Sequence, residues 1–161
     1  MRWKPDVTVA AIVERDGRFL MVEERASGHL VLNQPAGHLE DRETLIDAVI
    51  RETREETAWR LTPAALIGTY LWRNPDNGRT FLRFAFCGSV DDHKAEQPLD
   101  TGIVRAVWLS HEQLLAQPGR LRSPLVLRCL DDYLRGMRQP LESVASLSLE
   151  TALDIDAVVN L

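Results

Sequence analysis

A chain of 161 residues with 45% apolar and 27% charged residues has the length and balance of one globular domain with its own core, which argues against a disordered, fibrous or multi-domain organisation. A formal net charge of −5 excludes a polynucleotide-binding face built on a basic excess. Cys87 and Cys129 match neither a zinc spacing nor a disulfide framework, no start resembles a signal peptide and no apolar run is long enough to span a bilayer, so a cytoplasmic protein without membrane attachment is expected.

Residues 7–13 and 19–22 are β-rich runs around Asp16-Gly17, a hairpin signal. Apolar spacing at Leu45, Ala48 and Val49 predicts an amphipathic helix, with Thr44 and Asp47 as its N-terminal cap. Residues 66–72 and 81–86 are further strands flanking the turn-rich segment 74–78, and 103–109 is another. Ser110 and Gln113 form a capping box for a short helix over 110–115. Pro124 suits the first turn of a helix running to about residue 137, with Leu125, Leu127, Leu130 and Leu134 mostly on one side. Strands interrupted by one long helix and closed by another imply an α/β fold with a mixed β-sheet between helices, occupying residues 1–140. Residues 141–161 are an acidic-apolar tail of unassigned structure.

The long helix carries the chemistry. Residues 37–56 hold seven carboxylates against three arginines, so most of the net charge is local. At about 100° per residue, Glu52 and Glu56 fall within roughly 20° of Leu45, and Glu55 falls close to Ala48. The acids therefore share the core-facing stripe, where unpaired carboxylates would cost several kcal/mol each. A solvated face of Glu/Arg pairs, such as Arg51 with Glu55, is the usual meaning of an acidic helix, but its acids would lie opposite the apolar stripe. Glu52, Glu55 and Glu56 at i, i+3 and i+4 converge on one surface. An all-oxygen set suits Mg²⁺ or Mn²⁺ rather than zinc, and an open Mg²⁺ site implies a phosphorylated ligand.

Gly37, Glu43, Arg51-Glu52 and Glu55-Glu56 at this spacing resemble the signature box of the Nudix hydrolases, which cleave phosphoanhydride bonds in nucleoside diphosphates linked to another group. Six fixed positions recur by chance in about one chain in 10⁵ of this length. The box departs from the family pattern at Thr53, where an aliphatic residue is usual, and at Thr57, where a glycine is usual. The segments beginning at Pro5, Asn33, Phe81 and Leu121, respectively Pro-Asp-Val-Thr-Val-Ala, Asn-Gln-Pro-Ala-Gly-His-Leu-Glu, Phe-Leu-Arg-Phe and Leu-Arg-Ser-Pro-Leu-Val, are similar to a bacterial subgroup of that family, the NudJ phosphatases.

The resemblance implies the Nudix fold and a Mg²⁺-dependent (or Mn²⁺-dependent) hydrolase of nucleoside tri- and diphosphates that also accepts hydroxymethylpyrimidine pyrophosphate and releases orthophosphate. It implies metal ligation by Glu52 and Glu56, by Glu55 directly or through water, and by the Gly37 carbonyl. Arg51 would orient Glu52, and Glu43 would hydrogen-bond within the box; these four residues, Glu43, Arg51, Glu52 and Glu55, are the catalytic set. The base is left between a box glutamate and an acid of the loop before the Trp108 strand, where Asp100 is nearest the family position and Asp91, Asp92 and Glu96 are neighbours. Arg83, turned away from the core by alternation, and Arg25 are candidate clamps for a distal phosphate through the guanidinium fork. Trp72 and Phe81 are expected to pack in the core or loop, with stacking on a base as the alternative. Arg122 either contacts phosphate or begins the last helix, and His38 is expected to be exposed. Hydrolysis of nucleotide sugars or dinucleoside polyphosphates is the nearest alternative activity, and a non-catalytic nucleotide-binding module the alternative class. The expected partner is a small nucleotide or pyrimidine pyrophosphate, bound by a monomer or homodimer.

Overall fold

The computed structural model describes residues 1–147. Strand β1 (Asp6–Ile12) leads through β2 (Glu14–Arg15) into β3 (Arg18–Ala26). Asp16 and Gly17 both take positive φ, 52° and 74°, as a two-residue hairpin turn requires. Next come β4 (His29–Asn33), β5 (Ala36–His38), α1 (Leu45–Thr57), β6 (Arg60–Arg73), β7 (Thr80–Asp91), β8 (Ile103–Ser110), α2 (His111–Leu115) and α3 (Leu125–Leu134). Two four-stranded sheets result. One has the order β5-β1-β7-β6; in the other β3 is flanked by β4 and β8 and also pairs with β2. The β1–β7 pair is parallel and its neighbours antiparallel, so the first sheet is mixed.

Alternation along the strands divides the core in two. Val9 and Ala11 of β1, with Val13 just past its end, pack with Phe86 of β7 under Ala48 and Val49 of α1. Ile12, Ala85 and Cys87 face the other way and pack with Val126, Cys129 and Leu130 of α3. The sheet is thus sandwiched between α1 and α3, the architecture expected from the sequence. Both cysteines are buried free thiols, and among the described residues no helix is long and apolar enough to cross a membrane.

The element boundaries differ from expectation where tertiary pairing decides them. Strands β4 and β5 were not expected, and β6 is longer than 66–72, reaching back through Pro63. Proline is tolerated there because β6 is an edge strand and its register to β7 shifts between Pro63 and Ala65. Helix α3 ends at Leu134 rather than about residue 137, and Gly136 at φ 84° reverses the chain. The capping box of α2 forms as read, Ser110 Oγ accepting from Gln113 N at 3.1 Å and Gln113 Oε1 from Ser110 N at 2.8 Å. Beyond α3, Gln139 exchanges backbone hydrogen bonds with Leu66, and Leu141 and Val144 pack onto the α1-side core. The rest of the 141–161 segment, residues 148–161, lies outside the described residues.

Candidate active site

Helix α1 is anchored at both ends. Thr44 Oγ1 accepts from Asp47 N at 3.0 Å, satisfying one of the orphan amides of the first turn. At the far end Ala58, at φ 61°, supplies the left-handed residue and donates to Arg54 O. The left-handed position thus falls one residue past Thr57, which stays helical. The Thr53 hydroxyl donates to Val49 O at 2.7 Å and the Thr57 hydroxyl to Thr53 O at 2.6 Å, so both unusual threonines are buried with their polar groups satisfied.

The helix presents its acids to β5. Glu52 and Glu56 are 7% and 6% exposed, on the buried stripe as the angular argument required, whereas the Glu55 side chain, expected on that stripe too, is 44% exposed and stands at its edge. A β-carbon built on Gly37 would stand 2.1 Å from Glu52 Cδ, so the box needs glycine to let the carboxylate lie against β5. Glu56 Oε2 accepts from Ala36 N at 3.0 Å. Arg51 is the hub: it grips Glu43 side-on through Nε and Nη2 at 2.9 and 2.7 Å, donates from Nη1 to Glu52 at 2.8 Å and Glu55 at 3.2 Å, and reaches His38 O from Nη2 at 2.9 Å. Glu43 also accepts from Glu40 N at 2.7 Å. One arginine therefore fixes the helix, the box loop and two candidate ligands relative to one another.

The electrostatics follow from these contacts. The Arg51 hydrogen bonds hold Glu43 below the usual carboxylate range. Burial pushes Glu52 up, with Arg51 opposing it. Burial raises Glu56 to about 9, against the Ala36 amide, and the charges of Glu52, Glu24 and Asp100 add to the rise. Among the described residues no three carboxylate, imidazole or thiolate groups form a closed metal cage, since Glu52 and Glu55 bend to Arg51 and Glu56 to Ala36. The donor set nonetheless fits a hard divalent cation: two buried carboxylates that resist ionising side by side are what such a cation holds charged.

A pH dependence follows. Glu56 has a folded-state pKa raised from 4.5 to about 9, so it does not oppose folding below about pH 4.5, and its unfavourable effect grows as pH rises towards 9. In EDTA, the melting temperature should fall by several degrees between pH 5 and 9, and Glu56→Gln should flatten that fall. An unchanged slope in the variant would assign the loss to other groups.

Gly37, Arg51, Glu52, Glu55 and Glu56 border one cleft of about 1310 Å³. Of the loop acids, Asp100 lines it, brought there because Lys94 N, Gln97 Nε2 and Asp100 N donate to the carbonyls of Ala58, Arg54 and Glu55 at the end of α1. Asp91 and Asp92 instead pair with Arg60 and Arg54, and Glu96 is exposed. Arg25 is exposed and does not border the cleft, whereas Arg122 does, paired with Glu24 at 3.1 Å. The expectation that alternation would free Arg83 from the core needs correcting. Its side chain does leave the α1 face, but α3 covers the opposite face, leaving Arg83 6% exposed at the cleft wall with Nη1 donating to Gln34 at 3.2 Å. Trp72 and Phe81 stack on each other, ring centroids 5.8 Å apart, and line the cleft. His38 is largely exposed beside Asp6. Glu24, Asn33 and Thr8 also line the cleft and were not singled out from the sequence. Thr8 and Asn33 lie inside segments that carry the family resemblance and Glu24 in none, and strand pairing is what brings them to the box.

Comparison with known proteins agrees with this geometry. The NUDIX domain model matches residues 3–128. The chain is 42% identical over 146 residues to "Phosphatase NudJ" of Escherichia coli K12, covering 91% of this chain and 94% of that protein, and equally similar to the protein of that name from Shigella flexneri. A NUDIX hydrolase structure from Nitrosomonas europaea superposes with a TM-score of 0.87 at 46% identity, covering 89% of this chain and 98% of that one. A MutT NUDIX hydrolase from Burkholderia pseudomallei shares the fold at a TM-score of 0.68 and 22% identity, covering 81% and 98%. With most of its length matched by the domain model and by relatives above 40% identity, the chain belongs to the Nudix family and is a Nudix hydrolase.

Proposed function

We propose that this enzyme is a Mg²⁺- or Mn²⁺-dependent hydrolase of phosphoanhydride bonds in nucleoside tri- and diphosphates and in hydroxymethylpyrimidine pyrophosphate, releasing orthophosphate. The observation that carries the reading is the pair of buried carboxylates, Glu52 and Glu56, set against β5 under Gly37 in the cleft. The NudJ proteins, named as phosphatases and matched over most of their length, support phosphate as the product released.

Glu52 and Glu56, with Glu55 at the rim and the Gly37 carbonyl, are the groups that would hold the cation. The chemistry that such an ion would supply there is neutralisation of phosphoryl charge, which would lower the barrier to attack by water. The chain supplies the rest. Arg51 fixes Glu52 and Glu55 in one orientation, so the acceptor for the proton of the attacking water is in place before substrate arrives. Glu43 holds Arg51 by a two-point contact, which keeps that hub from turning toward the substrate phosphates. Arg122, which lines the same cleft and pairs with Glu24, would meet phosphate charge. Arg83 and the aromatic pair contact another part of the substrate.

A panel of nucleoside tri- and diphosphates, hydroxymethylpyrimidine pyrophosphate, ADP-ribose, nucleotide sugars and dinucleoside polyphosphates, assayed with Mg²⁺ and separate detection of phosphate and pyrophosphate, tests this. The first three classes should lead by kcat/KM, with phosphate as product. If ADP-ribose, a nucleotide sugar or a dinucleoside polyphosphate leads, the substrate assignment fails while the family chemistry stands.

A further inference from the structure

Three side chains of the cleft, Trp72, Phe81 and Arg83, take no part in the carboxylate chemistry, and strand register places them together. Trp72 lies opposite Phe81 and Tyr70 opposite Arg83, while Thr8 pairs with Arg83 on one side and His38 on the other. Because faces alternate along a strand, Phe81, Arg83, Trp72, Thr8 and His38 share one face of the sheet. With about 4.8 Å between strands, Arg83 is rooted roughly 10 Å from the box strand, and Phe81 about 7 Å further along β7. A group bound at Phe81 and Arg83 therefore lies away from the box strand, in the same cleft that the glutamates border.

The two features of this region call for one ligand. Trp72 and Phe81 form an aromatic stack, their rings inclined by 22°, with the Arg79 guanidinium over Phe81 at 5.3 Å from its centroid, so the ring face that the stack turns outward is that of Trp72. Leu125 and Leu127 line the same cleft. Such a surface accepts a planar ring. Beside it, Arg83 is buried without a carboxylate partner. Its Nε meets no acceptor, and its Nη2 reaches Asn33 Oδ1 only at 3.5 Å. Nε and Nη2 form the side-on edge of the guanidinium, the same edge that in Arg51 is filled by both oxygens of Glu43. A buried edge of two parallel donors left under-satisfied costs free energy until two neighbouring acceptors meet it. Asn33, held by long contacts of 3.4 and 3.5 Å, is the side chain that yields to them.

The geometry points to a ring-reading subsite in which Trp72, backed by Phe81, stacks a planar heterocycle and Arg83 reads a ring nitrogen and the adjacent carbonyl oxygen on its edge. This rests on the hydrolase reading above and names the part of the substrate that the glutamates do not touch. Cytosine, through N3 and O2, and guanine, through N7 and O6, carry two adjacent acceptors. Uracil presents an N–H between its carbonyls, and adenine an amino group beside N7. The subsite should therefore rank bases by edge pattern rather than by size.

Nucleoside monophosphates test this with the intact enzyme in Mg²⁺ buffer, because they contain no anhydride and are not turned over. By calorimetry, CMP or GMP should bind at least about fivefold more tightly than UMP and AMP, and ribose 5-phosphate, which has no ring, at least about tenfold more weakly than any of them. The CMP and GMP arms distinguish a pyrimidine from a purine site. Trp72→Leu should weaken all four nucleotides roughly tenfold and leave ribose 5-phosphate within about twofold. Arg83→Lys should erase the preference for the two-acceptor bases. The proposal is overturned if ribose 5-phosphate binds as well as CMP, if the wild-type protein does not rank the bases in this way, or if Arg83→Lys weakens ribose 5-phosphate as much as CMP, which would make Arg83 a phosphate contact. Since the wild-type ranking is decisive alone, a poorly folding variant does not remove the test. Loss of the ranking with turnover intact rejects only the subsite, and base-ranked binding without turnover of any anhydride rejects only the hydrolase substrate reading.

Discussion

Replacing Glu52 by glutamine is expected to lower kcat by at least about 10²-fold, the scale for deleting a charge that positions both cation and nucleophile. Glutamine keeps the shape of a side chain packed between Gly37 and Arg51, so the fold should survive and the loss should appear in kcat rather than in stability. Asp100→Asn is the companion measurement. Asp100 lines the cleft and its charge is felt by Glu52 and Glu56, yet its backbone, not its carboxylate, ties the loop to Glu55. If a box glutamate accepts the proton, Asp100→Asn should cost less than about tenfold. The opposite ranking of the two variants would move the base to the loop.

Gly37→Ala is expected to cost a comparable factor through geometry alone. The added methyl would sit 2.1 Å from Glu52 Cδ, and the carboxylate must retreat by more than an ångström to clear it. A displacement of that size in a positioned catalytic group is worth about 10²-fold. Because the clash is with the end of a flexible side chain, the melting temperature should move by only a few degrees. Gly88 provides the contrast: there the methyl would stand 2.2 Å from the Thr62 carbonyl, in the irregular stretch of the β6–β7 pairing. Gly88→Ala should therefore lower stability with kcat of the folded fraction retained. If Gly37→Ala turns over normally, Glu52 does not act from its position against β5.

The contrast between what was legible in the chain and what was not has a physical cause. The box helix could be read from spacing because two of its acids and its packing use the same stripe: Glu52 and Glu56 are buried where the periodicity put them. The capping threonine, the Ser110 box and the Asp16-Gly17 hairpin were equally local. Strands β4 and β5 escaped because a five-residue run and a three-residue run containing Gly37 carry too little alternation to register, and both are created by pairing with β3 and β1. For Arg83, alternation gave the correct face but not the cover that α3 lays over it. Arg25 lies within β3, exposed, and does not border the cleft. Asp100 was found as the nearest loop acid, but what carries it into the cleft is a set of backbone hydrogen bonds to the last carbonyls of α1, which no side-chain pattern announces. The site is thus written locally where one helix builds it and non-locally where the two sheets do.

The central claim is that Glu52, Glu55 and Glu56 work by holding a divalent cation. Its most direct test is turnover of a nucleoside diphosphate by protein stripped of metal, followed through a Mg²⁺ titration with the melting temperature recorded at each point. No turnover without metal, recovery over the titration, and a melting temperature that rises in step as the ion relieves the buried carboxylates are the results expected. Turnover that persists in rigorously metal-free protein would contradict the account.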